Sequence, residues 1–117
     1  MPDTTITKID SRYSPVGAMG QRYLASGVRM SMRLWQELPP GTPSPETQRD
    51  YEILGYVLSG VAELHVEGQH LRLETGNSYV IPRGARHHFS ILERFSAVEV
   101  TSPSAVVHAR DEAPARS

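Results

Sequence analysis

Polar and apolar positions along this chain alternate in short runs of period two, a pattern that predicts strands. From Val28 to Gln36, the residues Val28, Met30, Met32 and Leu34 share one face, and Arg29, Ser31, Arg33 and Trp35 share the other. A Pro-rich stretch from Leu38 to Pro45 then ends regular structure, because Pro39, Pro40, Pro43 and Pro45 have no backbone donor. Tyr51 to Leu58 is the next apolar run, closed by Ser59-Gly60. Val61 to Val66 sets Val61, Glu63 and His65 against Ala62, Leu64 and Val66, and Glu67-Gly68 is a two-residue hairpin signal. Gln69 to Leu73, Ser78 to Ile81, His87 to Leu92 and Phe95 to Val100 complete the set, with turn residues at 74–77 and 82–84. Residues 1–25 read as an arm with weak strand character around Thr5–Ile9, and residues 105–117 as a tail. The body, residues 26–104, therefore holds seven or eight short strands and no convincing helix. That makes the chain a single all-β domain, either a sandwich or a barrel.

Composition narrows the chemistry. The 117 residues suit one domain with one core. There is no Cys, which excludes a disulfide framework, a thiolate zinc site and a thiol nucleophile. The formal net charge is −1, without the basic surplus of a nucleic-acid binder. No apolar run approaches the roughly 20 residues of a membrane span, and Met1 to Asp10 lacks the charged-then-apolar order of a signal peptide. A cytoplasmic protein with no nucleic-acid or membrane partner is expected.

Spacing then chooses among the barrels. Gly76, five residues, Pro82, one residue, Gly84, two residues, His87 is a turn–strand–turn arrangement that suits its residues. Gly76 closes a tight turn, Pro82 stiffens a strand end, and Gly84 takes a positive φ. The corner delivers His87 onto the next strand on the same face as Phe89 and Ile91. This segment resembles the second motif of the cupin superfamily, and Tyr56-Val57-Leu58-Ser59-Gly60 resembles the end of the first. The resemblance implies a cupin jelly-roll barrel, the double-stranded β-helix, with the side chain of His87 directed inward.

Such families commonly hold a divalent metal on two His, a Glu and the second-motif His. The sequence departs from this pattern: no His lies between Met1 and Leu64. The position where the resemblance expects Glu is Ile53, and Glu52 is one residue away. If a strand bulge corrects that slip, Glu46 and Gln48 occupy the former His positions. Two readings of the barrel follow. In one, His87, Glu52, Gln48 and Glu46 bind Mn, Fe(II) or Mg, as oxygen donors with one imidazole would favour, and support dioxygenase, isomerase or lyase chemistry. In the other, which is preferred, the barrel binds a small organic molecule without metal. Ile53, Val57, Val80, Phe89 and Ile91 form its walls. His87, Glu52, Gln48 and Arg33 orient the ligand, with Trp35 at the mouth or at a subunit contact, and an anionic ligand would suit Arg33. His87 with Glu52 would be the acid–base pair of any weak catalysis.

His65, His70 and His88 are read as lying outside the core, and His108 lies near the tail. Met30 and Met32 are read as core packing. The arm Thr4–Ile9 and the strand Val28–Leu34 are expected at a homodimer contact.

Overall fold

The computed structural model describes residues 6–42 and 44–103. Six strands carry its regular structure, apart from one 3-10 turn: β1 (Arg22–Ser26), β2 (Ser31–Leu38), β3 (Glu52–Val66), β4 (Gln69–Glu74), β5 (Ser78–Ile81) and β6 (His87–Ser102). All pairings are antiparallel. The strands run in the order β1-β2-β6-β3-β4, and β5 also joins β3. The two long strands, β3 and β6, form the spine that carries the short ones. The runs read separately as Tyr51–Leu58 and Val61–Val66 are one strand, and so are His87–Leu92 and Phe95–Val100.

β3 stays continuous because it bulges. Its register against β6 shifts three times between Val57 and Ala62. At the centre Gly60 has φ +86°, and a Cβ there would run into the Arg94 carbonyl, so the bend requires glycine. The bulge also reverses parity. Ile53, Gly55 and Val57 are buried before it, Ala62 and Leu64 after it. Glu63 and His65 are thereby turned to the outer face, as the alternation predicts.

Inside lies one continuous core, including Tyr51, Ile53, Val57, Leu64, Ile81 and Phe95. Each large side chain buried there contributes about 1.5–3 kcal/mol. The Pro82–Gly84 corner forms as expected, with Gly84 at φ +82°. The Gly84 amide donates to the Arg49 carbonyl, tying the corner to the loop after the Pro-rich stretch.

The structure differs from the sequence reading in three places. The sheet begins at Arg22, inside the segment read as an arm. Ile6 to Ile9 has no regular structure, and a single 3-10 turn, Ser11–Tyr13, follows it. In β2 the buried face is the polar one: Ser31 and Arg33 are inside, while Met30 and Met32 are exposed and are not core fillers. A charged face turns inward here because its charge is cancelled across the sheet. The tail, with His108, lies outside the described residues.

Candidate functional site

The inner face of the barrel lines a partly open cavity of about 160 Å³. Register alone explains its polar floor. Tyr79 on β5 stands opposite Gly55 on β3, Gly55 opposite Glu99 on β6, and Glu99 opposite Arg33 on β2. Opposite residues share a face, so this row points inward together. Gly55 has no side chain, and the Tyr79 ring lies across the space a Cβ would fill. The phenol thereby reaches over one strand and donates to Glu99 Oε2 at 2.6 Å.

Glu99 is the hub of this row. Its Oε1 accepts from Arg33 Nε at 2.8 Å and from Trp35 Nε1 at 2.8 Å. Arg33 Nη1 also donates to the Tyr51 hydroxyl at 3.0 Å, and its guanidinium packs against the rings of Trp35 and Tyr51. Glu99 is 1% exposed and Arg33 4%. Burial first, then the adjacent carboxylate, pushes the Tyr79 phenol well above its usual range, so it remains a proton donor. The floor is thus a closed set of charge-assisted bonds with no net charge.

Phe89, Ile91 and Phe95 of β6 supply apolar wall, and His87 stands beside them. The His87 ring is fixed at both nitrogens. Nδ1 lies 3.1 Å from the Ala85 carbonyl, which can only accept, so Nδ1 carries the proton. Nε2 then holds the lone pair, and Thr47 Oγ1, 3.2 Å away, donates to it. Thr47 is set there by a two-way backbone bridge, each residue's amide donating to the other's carbonyl. Desolvation is the largest effect on the ring and holds its pKa below the ordinary 6.5. The Ala85 bond and Glu99 act upward; Arg33 and Arg49 push further down. At neutral pH His87 is therefore an uncharged imidazole in the cavity wall.

Of the residues singled out in the sequence, the structure brings His87, Arg33, Trp35 and Phe89 together on the cavity. Ile91 joins them, whereas Ile53 and Val57 belong to the core and Val80 is exposed. Glu52, Glu46 and Gln48 are not among the lining residues. Glu52 is exposed, and β3 keeps an unbroken register from Glu52 to Val57, so no bulge corrects its one-residue offset. Glu46 is exposed and pairs with Arg86. Gln48 turns its amide to the Gly84 carbonyl at 2.7 Å. Two residues of the floor, Glu99 and Tyr79, were not anticipated. The one available signal was a lone acid inside an apolar strand, Ala97-Val98-Glu99-Val100.

This donor set does not fit the Mn, Fe(II) or Mg that the family resemblance suggested. Among the described residues lining the cavity there is one imidazole and one carboxylate. The carboxylate already accepts from three donors. The charge of that carboxylate is already matched by Arg33, and Arg49 adds a further guanidinium to the lining.

A bent antiparallel barrel with a polar-floored cavity between its inner faces defines the class, an all-β barrel protein. The family model described as "Cupin domain" matches residues 34–101, more than half of the chain, and the chain belongs to that family. Solved structures agree on the fold. KdgF from a Halomonas species is 20% identical with a TM-score of 0.74, covering 85% of this chain and 94% of that one. An RmlC-like cupin from Shewanella frigidimarina is 15% identical with a TM-score of 0.72, over 85% and 92% of the two chains. A Streptomyces protein, PAC13, solved with uridine, is 13% identical with a TM-score of 0.70, over 86% and 84%. At these identities the likeness is one of fold. No curated protein matches the chain. Among the described residues no helix is long and apolar enough to cross a membrane.

Proposed function

We propose that the barrel binds a small organic molecule without a metal, presenting it to the neutral His87, and that two copies form the working unit. The observation that carries the reading is the commitment of Glu99. The carboxylate on the cavity is spent on Arg33, Trp35 and Tyr79, which leaves His87 Nε2 and the Thr47 hydroxyl as the adaptable polar pair. Apolar walls with a few convergent polar groups are the usual recipe for a small-molecule site. The Arg33 charge is already neutralised, so it does not select an anion. A weakly polar, ring-bearing ligand suits Phe89, Phe95 and Trp35 better. That PAC13, of the same fold, was solved with uridine is in keeping with such a ligand. With Glu52 outside, any catalysis rests on the His87 lone pair taking a proton from the ligand.

The dimer reading rests on the outer face. Leu54, Tyr56 and Leu58 of β3 are about half exposed, and Val80 lies opposite Leu54. An apolar surface of this kind is commonly covered by a second copy.

A panel of nucleosides and other small ring compounds, read by thermal shift and by NMR on native and His87→Gln protein, tests the binding. A compound that stabilises the native protein and binds the variant about tenfold more weakly, the loss of one good hydrogen bond, is expected. Stoichiometric metal in the native protein that vanishes in His87→Ala would overturn the metal-free reading.

A further inference from the structure

The outer face of the same strands carries a second constellation. Parity after the Gly60 bulge puts Glu63 and His65 outside. Register then sets His65 directly opposite His70 on β4 and His88 on β6. Three imidazoles therefore stand in one row across three strands, with Glu63 beside the middle one. Glu63 Oε1 is 2.9 Å from His65 Nε2 and 3.7 Å from His70 Nδ1. One donor atom from each of these three residues lies within 4.8 Å of the others. A tetrahedral ion with ligands at about 2.0–2.1 Å needs its donors about 3.3–3.4 Å apart. The observed spacings bracket that value, and His70, the most exposed of the three, has room to close the difference.

Two neighbours support a function beyond a surface ion pair. Arg72 stands opposite Glu63 in the ladder and is the natural partner for its charge, yet it donates to Glu74 instead. Glu63 is left directed at two imidazoles. On the other side, the His88 ring stacks on His65 at 4.2 Å and 7° between planes. A parallel ring cannot aim a nitrogen at the same point, so His88 positions His65 rather than joining the ligands. Ser90 Oγ, 3.3 Å from His65 Nε2, lies at the same edge.

We propose that Glu63, His65 and His70 form a site for a late first-row divalent cation, Zn²⁺ in the first place, on the outside of the barrel and independent of the cavity. Two imidazoles and a carboxylate are donors that such ions accept and that Mg²⁺ or Ca²⁺ do not favour. Three protein ligands leave a fourth position for water or a small ligand. The ion would clip β3 to β4 and so stabilise the hairpin on which it sits.

The test uses untagged protein freed of metal with a chelator and titrated with ZnCl₂ by calorimetry, followed by thermal melting. One Zn²⁺ per chain in the micromolar range and a raised melting temperature are expected, with no competition from excess Mg²⁺. His65→Ala and Glu63→Gln should each weaken binding by at least about tenfold. His88→Phe, which keeps the stack, and His87→Gln, which alters only the cavity, should bind as the native chain does. No saturable zinc, or zinc held equally well by His65→Ala, would sink the proposal. So would zinc that is lost in His87→Gln.

Discussion

Replacing Glu99 with Gln removes a charge while keeping its shape, which makes it the sharpest probe of the barrel floor. In the native protein the carboxylate accepts from Arg33, Trp35 and Tyr79 at 2.6–2.8 Å and is almost wholly buried. The variant retains an oxygen for Arg33 and Trp35, but its amide faces the Tyr79 hydroxyl, which must turn from donor to acceptor. The guanidinium of Arg33 is left without its counter-charge in a buried place. Breaking one side of a buried pair in this way costs about 3–5 kcal/mol. At about 4 °C per kcal/mol for a chain of this size, the melting temperature should fall by roughly 12–20 °C. Urea unfolding followed by the fluorescence of Trp35, the single tryptophan, reads the same change within the network itself. Arg33→Met completes a cycle. The double variant should lose clearly less than the sum of the two single losses, because the second change removes the orphaned charge. If Glu99→Gln lies within about 1 kcal/mol of native, or if the two losses simply add, the floor is not the coupled unit described.

Other expectations are equally direct. Burial holds His87 below its ordinary 6.5, so the unfolded chain takes up this proton at a higher pH than the native one. Its contribution is full above that ordinary value and is lost as pH falls towards the folded value. The stability gap between native and His87→Gln should therefore narrow from about pH 7.5 to about pH 5; in urea titrations, a constant or widening gap would contradict the assignment. Gly55→Ala should lower stability by about 2 kcal/mol or more through overpacking against the Tyr79 ring, and an unmoved urea midpoint would mean that Tyr79 does not cross that strand. Light scattering should show a dimer for the native chain and a monomer for Leu54→Glu with Tyr56→Glu, and an unchanged mass would remove the outer face from the contact.

What the sequence made legible was local. The corner at Pro82–Gly84 and the period-two run after it placed His87, Phe89 and Ile91 on one wall, because turn chemistry and alternation act within a few residues. Arg33 and Trp35 were likewise grouped on one face of their strand. The direction in which that face turned could not be read, because it depends on Glu99, 66 residues away in the chain. Tyr79 was hidden for a similar reason: its reach depends on Gly55 being the residue opposite it. Glu52 was drawn towards the site by the family pattern, but the unbroken register around it keeps it outside. Long-range register, not propensity, decided each of these.

The bulge at Gly60 has a consequence for how this chain tolerates change in length. Val57 and Ala62, both indoors, stand five residues apart; removing one residue there would leave the even step of plain alternation, so Leu64 would stay indoors and His65 in the open without any bend. A side chain at position 60 would strike the Arg94 carbonyl, whereas a deletion at this kink would abolish the kink and the demand for glycine together.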